Sequence, residues 1–142
     1  MARRGPVIII DDDIDDHDMF RYVLDKIDPG NEIKFFLNGE EALHYLQTTD
    51  EKPLFILSDL NMPRMGGMEL RKIINQNEYL RQKSIPFIFL TTSASPKEVA
   101  ESYDICVQGF FQKPDNIDKL QDMLKRIIDY WKDCLHPNSY GS

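Results

Sequence analysis

Leu54-Phe55-Ile56-Leu57-Ser58-Asp59-Leu60-Asn61-Met62-Pro63 is the stretch on which the reading of this chain turns. Its four apolar residues run without polar alternation, as in a strand buried on both faces of a sheet, and the polar residues and proline that follow end it. Asp59 then stands where a buried strand runs out into a loop. That position is half desolvated and open to a ligand, and open α/β sheets bind their ligands there. A plainer use exists, because Asp and Asn also tighten turns through their own backbone.

Working outward, the same pattern recurs. Val7-Ile8-Ile9-Ile10 is a β-branched run that stops at the acids Asp11-Asp12-Asp13-Ile14-Asp15-Asp16. A helix follows with Phe20, Val23, Leu24 and Ile27 on one face. Asp15 and Asp16 fall near its start, where negative charge suits the helix dipole without any function. Asp28-Pro29-Gly30-Asn31 is a turn by composition, and Ile33, Phe35 and Phe36 make a second strand. Asn38-Gly39 opens a helix carrying Ala42, Leu43 and Leu46, and Lys52-Pro53 leads to the quoted strand. Past Gly66-Gly67 a third helix carries Leu70, Ile73 and Ile74, and Asn75 to Ser84 reads as a long connection.

Phe87-Ile88-Phe89-Leu90 is a fourth strand ending on Thr91-Thr92-Ser93. Ser95-Pro96-Lys97-Glu98 is a helix start, with a Ser cap, Pro at the first position and Glu placed to return a bond to the cap. The helix it opens carries Val99, Ala100 and Tyr103. Gly109 to Gln112 is a last strand before Lys113-Pro114, and Ile117, Leu120, Leu124, Ile127, Ile128, Trp131 and Leu135 mark a long amphipathic helix. Five strands alternating with five helices predict an α/β fold with a parallel sheet. Residues 1–135 are expected to form one domain and 136–142 a loose, flexible tail.

Composition narrows the function. At 142 residues the chain suits one domain. A net charge of −7 disfavours binding to nucleic acid phosphates. Cys106 and Cys134 form no C-x-x-C motif and lack zinc-site neighbours. The apolar run after the basic Met1 to Arg4 is too short for a signal peptide or a membrane span, so a soluble cytoplasmic protein is expected.

In a parallel sheet all carboxyl ends lie on one side, so Asp11, Asp12, Asp59, Thr91 and Lys113 converge on one crevice. Carboxylates about 4 Å apart repel by roughly 4 kcal/mol at an effective dielectric near 20, which demands a cation. All-oxygen ligands favour a hard ion such as Mg²⁺, with Mn²⁺ as a substitute. The hydroxyl and the ammonium beside it read as phosphoryl-binding groups, and the set specifies phosphoryl transfer to a carboxylate.

Asp11-Asp12, Asp59-Leu60-Asn61-Met62-Pro63 with Gly67, Thr91 and Lys113-Pro114 resemble, in order and context, the signature of the response-regulator receiver domain of two-component signalling. The resemblance covers about the first 130 residues. It implies a doubly wound, flavodoxin-like sheet of order 2-1-3-4-5 and phosphorylation of Asp59 from the phosphohistidine of a sensor histidine kinase. It also implies Mg²⁺ held by Asp12, Asp59 and the backbone carbonyl of Asn61, with Asp11 acting through water. Thr91 and Lys113 would contact the phosphoryl group, Thr91 and Phe110 would form the switch, and Asn61 and Ser93 would tune dephosphorylation. Phe110 stands where many relatives have Tyr, Thr92 is bulkier than the usual small residue, and Gly66 replaces a common Asp. The long connection after the third helix resembles the stand-alone regulators that work with phytochrome-type kinases. The resemblance further implies output through a downstream protein or a phosphotransfer protein, presented around the fourth and fifth helices, with no output domain. The apolar spacing Leu120, Leu124, Ile127, Trp131, Cys134 leaves room for a homodimer seam.

Two other classes fit parts of the pattern. Asp11-Asp12-Asp13 also resembles the D-x-D of haloacid-dehalogenase-type phosphohydrolases, with Asp11 as nucleophile and Asp13 as acid-base partner, but that reading leaves Asp59 without a role. A receiver-shaped adaptor that binds partners without phosphorylation is the third.

Overall fold

The computed structural model describes residues 5–27, 29–60, 62 and 64–135. Asp28 of the expected turn, Asn61 and Pro63 of the signature, the basic segment 1–4 and the expected tail 136–142 lie outside the described residues. In chain order the elements are β1 (Val7–Ile10), α1 (Ile14–Ile27), β2 (Ile33–Phe36), α2 (Gly39–Thr48), β3 (Phe55–Ser58), α3 (Gly67–Gln76), α4 (Glu78–Gln82), β4 (Phe87–Thr91), α5 (Pro96–Asp104), β5 (Gly109–Gln112) and α6 (Ile117–Asp133). The strands form one parallel sheet of order β2-β1-β3-β4-β5, as expected.

The unbroken apolar runs are explained by the two faces they serve. Val7, Ile9, Phe55, Leu57, Ile88 and Leu90 point to one side, where Phe20, Val23 and Leu24 of α1 and Leu120, Leu124, Ile127 and Ile128 of α6 cover them. Ile8, Ile10, Ile56, Phe87 and Phe89 point to the other, under Ala42 and Leu46 of α2, Leu70 and Ile74 of α3 and Leu80 of α4. Successive strand residues face opposite ways, so every position of β1, β3 and β4 is buried. The edge strand β2 is only half-buried. Its Lys34 reaches Glu51 and Glu32 at 3.5 and 3.7 Å and lies over the Tyr45 ring.

Capping places the helices much as the residues foretell. Asn38 caps α2 by accepting the Glu41 N–H, and Ser95 and Glu98 form the reciprocal capping box of α5. Two details differ from expectation. The connection 75–84 contains the extra helix α4: Asn77 ends α3 and caps α4 by accepting the Leu80 N–H, which lets Leu80 reach the core. On α5 the buried side chain is Ser102, whose hydroxyl donates to the Glu98 carbonyl, whereas Ala100 and Tyr103 are exposed. A small, internally satisfied residue serves that close approach better than the apolar stripe would. On α6, Leu120, Leu124 and Ile127 of the stripe turn into this chain's own core, while Trp131 and Cys134 of the same stripe are half-buried.

The site end of β3 rests on one glycine. A Cβ on Gly67 would lie 2.4 Å from the Asp59 carbonyl oxygen, 2.6 Å from the Phe89 ring and 2.8 Å from Ser58 Oγ. Backbone and a buried ring cannot yield, and the Gly67 N–H donates to Leu60 O at 3.0 Å across the same loop. Gly67→Ala is therefore expected to cost about 1–3 kcal/mol, the range for overpacking. Urea unfolding measures the loss, and amide spectra should place the shifts at Ser58 to Leu60. An unchanged midpoint would refute the tight packing.

Candidate functional site

The carboxyl ends of β1, β3 and β5 meet at a cleft of about 550 Å³ lined chiefly by Asp11, Asp12, Asp16, Asp59, Thr92 and Lys113. Asp11 continues the β1 ladder, its N–H donating to Phe36 O, and it is 2% exposed. One carboxylate oxygen accepts the Asp13 N–H at 3.0 Å and the other faces the Lys113 ammonium at 2.9 Å. The buried His17 ring donates to the Asp11 carbonyl at 2.6 Å and packs on Phe35. Asp12 lies exposed at the lip. The Asp59 N–H donates to Ile10 O, which anchors this half-buried residue to the β1 end.

Ligand oxygens of Asp11, Asp12 and Asp59 all lie within 4.8 Å of one another. Lys113, just past β5, is held by its own N–H on Thr91 O at 2.7 Å. Its Nζ stands 2.9 Å from Asp11, 2.8 Å from Asp16 and 3.5 Å from Asp59. Burial pushes the Asp11 carboxyl up to about 6, against the bonds from Lys113 and Asp13 that lower it. Burial also acts on Asp16, but there the Lys113 ammonium wins and holds the carboxyl below its ordinary value. Burial opposes the charge on Lys113, and its bonds to Asp16 and Asp11 overcome that and hold the ammonium above its usual range.

One ammonium cannot balance four carboxylates. Each pair among Asp11, Asp12 and Asp59, with ligand oxygens within 4.8 Å of one another, repels by about 3 to 4 kcal/mol at an effective dielectric near 20 when both are ionised. An oxygen-only donor set with this excess negative charge fits a hard divalent cation, with Asp12 and Asp59 as the open ligands and Asp11 behind them. The expected backbone ligand, Asn61, lies outside the described residues.

The remaining expected residues fall as follows. Thr91 is buried, and its hydroxyl donates to Ser93 O at 3.3 Å rather than into the cleft. The neighbouring Thr92 lines the cleft instead. Ser93 is exposed on the same loop. Phe110 is half-buried on β5 and meets Phe89 edge-on at 5.8 Å between ring centroids. Gly66 precedes α3 without a side-chain cap bond, which the common Asp would supply. Asp13 caps α1 by accepting the Asp15 N–H, so the acid-base partner of the phosphohydrolase reading is occupied by the backbone.

Asp16 and His17 also adjoin the cluster, through Lys113 and the Asp11 carbonyl, although the sequence pattern does not single them out. Asp16 suits the helix dipole, but helical side chains tilt toward the helix N-terminus, and in the first turn of α1 that aims it back over the strand ends. The interval of five between Asp11 and Asp16 was the available signal.

Comparison with known proteins agrees with this arrangement. Residues 7–125 match the response regulator receiver domain. The chain is 31% identical over 130 residues to response regulator Rcp1 of Synechocystis, covering 88% of this chain and 87% of that protein. It is 29% identical to the DNA-binding transcriptional regulator NtrC of Escherichia coli over 96% of this chain, but spans only 28% of that protein's length. Among solved structures, the phosphorylated cyanobacterial phytochrome response regulator RcpA superposes with a TM-score of 0.84 at 26% identity, covering 94% of this chain and 99% of that one. The Mn²⁺-bound form of Rcp1 gives 0.77 at 29% identity, over 92% and 96%. With a fold, a carboxylate cluster and a family match in agreement, the chain belongs to the response regulator receiver domain family.

Proposed function

We propose that this chain is a stand-alone response regulator that accepts a phosphoryl group on Asp59 from the phosphohistidine of a sensor histidine kinase. The observation that carries the reading is the position of the Asp59 carboxylate, beside Asp11 and Asp12 on one side and 3.5 Å from the Lys113 ammonium on the other. In the transfer an Asp59 oxygen attacks phosphorus, the P–N bond breaks, and its electron pair returns to the imidazole nitrogen. A divalent cation on Asp12 and Asp59 would neutralise charge on the phosphoryl oxygens.

This chain's own residues do the rest. Lys113 already faces the acceptor and exchanges its Asp59 contact for a phosphoryl oxygen. Thr91 has to release Ser93 O before its hydroxyl can donate to the new group, so binding the phosphoryl oxygen remodels the loop after β4. Phe110 lies two strand positions from Gln112, opposite Phe89, and can respond only by repacking, since it has no hydroxyl. Thr92 narrows the mouth to small donors and to water. A phytochrome-type kinase is the partner class suggested by the likeness to Rcp1 and RcpA, with a phosphotransfer or effector protein downstream. No described helix is long and apolar enough to cross a membrane.

Intact mass after incubation with Mg²⁺ and acetyl phosphate tests the assignment. Wild type should gain one base-labile phosphate that Asp59→Asn lacks, and an adduct surviving that substitution sinks it. Failure of any adduct, with kinase donors included, would favour the phosphorylation-independent adaptor. Thr92→Ala should raise the rate of labelling by acetyl phosphate several-fold in the same assay, and an unchanged rate would remove Thr92 from the gate.

The raised Asp11 carboxyl predicts a pH dependence. Its ordinary value is 3.8 and its folded value about 6, so the folded protein holds this proton more tightly than the unfolded chain. The stability it contributes to the metal-free protein is complete below the unfolded value and is lost as pH rises through about 6. A cation favours the ionised carboxylates and acts in the opposite sense. The rise in Tm on adding Mg²⁺ should accordingly be larger at pH 7.5 than at pH 5.5, and equal increments at both would contradict the assignment of Asp11 to the metal site.

A further inference from the structure

At the opposite pole of the sheet, where β4 and β5 begin, two clefts meet. One, of about 330 Å³, is lined by Arg71, Asn75, Arg81, Ser84, Cys106 and Gln108 among others, and no carboxylate lines it. The second, of about 430 Å³, is apolar, bounded by Ile88, Phe111, Met123, Ile127 and Tyr130, with Arg126 at its side. Gln108 and Trp131 border both.

The arginines here are unlike the others. Of the five described, Arg21 and Arg64 pair with Asp18 and Glu40. Arg71, Arg81 and Arg126 have no carboxylate partner among the described residues, and all three line these clefts. Arg71 is only 8% exposed. Its Nε donates to Ile105 O at 2.9 Å and one terminal nitrogen, Nη2, to Cys106 O at 2.8 Å, while Nη1 makes no hydrogen bond among the described residues. Two carbonyls leave its charge without a counterion, in a molecule whose net charge is −7. A guanidinium presents a planar fork of donors that matches the oxygens of a phosphate or carboxylate. Both cleft volumes fall in the range of small-molecule sites.

We propose that the joined clefts bind a small amphiphilic anion, a phosphate, phosphonate or carboxylate head on a flat apolar body. The head sits between Arg71 and Arg81, and the body lies against Trp131 and the apolar cleft. Arg71 also holds the loop into β5, where Cys106 has a positive φ of 67°. An anion that draws on the Arg71 fork therefore bears directly on the segment that leads to Phe110 and Lys113.

Trp131 is the only tryptophan of the chain, so tryptophan fluorescence reports from a residue that borders both clefts. The test titrates the full chain, in EDTA to keep metal from the Asp59 cleft, with phenylphosphonate and benzoate, and with inorganic phosphate and benzyl alcohol as head and body alone. A saturable fluorescence change with either aryl anion is expected, at least tenfold tighter than with the head or the body. Amide shifts should centre on Cys106 to Gln108. Arg81→Glu, at an exposed position that leaves folding intact, should weaken binding at least tenfold, and Arg71→Lys should weaken it while retaining the charge. A non-saturable response, equal binding by Arg81→Glu, or shifts centred on Lys113 would overturn the proposal.

Discussion

The Lys113 ammonium is the contact on which this structure hangs. It reaches back 102 positions to Asp11 after β1 and 97 to Asp16 on α1, and it also brings the end of β5 onto Asp59 after β3. Its charge offsets part of the repulsion among carboxylates whose ligand oxygens lie within 4.8 Å of one another. The cluster remains over-supplied with negative charge, and that imbalance makes the pole receptive to a metal ion and to a phosphoryl group. Stability and chemistry are thus opposed at one point, as is common where a site is built for an absent charge.

Much of this is legible in the amino-acid sequence. Strands buried on both faces leave unbroken apolar runs, and Val7–Ile10, Phe55–Leu57 and Phe87–Leu90 carry them. Their polar successors give the site, since chain order plus a parallel sheet fixes which ends meet. Side-chain caps such as Asn38 and Ser95 work within four residues, so they too are visible locally.

What escaped depends on approach rather than on pattern. Ser102 is buried because its hydroxyl can bond to its own helix, which makes a polar residue acceptable against the sheet. Leu80 needs only one turn of α4 to reach the core, too short for any periodicity to show. The direction of the Thr91 hydroxyl, toward Ser93 rather than Asp59, is a rotamer that residue type does not dictate. Arg71 on α3 carries no local signal of its role, and only the packing of the β5 loop above it buries the guanidinium and fixes it on carbonyls.

The edge strand β2 carries a final consequence. An edge with free backbone groups is a template for another chain, and a sheet of this kind would polymerise through it if nothing intervened. Lys34 sits in the middle of β2, tied to Glu51 and Glu32, so an added strand would have to bury an ammonium and break its ion pairs. The β2 flank of the sheet is in this way protected against growth by strand addition, a protection that does not extend to the opposite edge, β5.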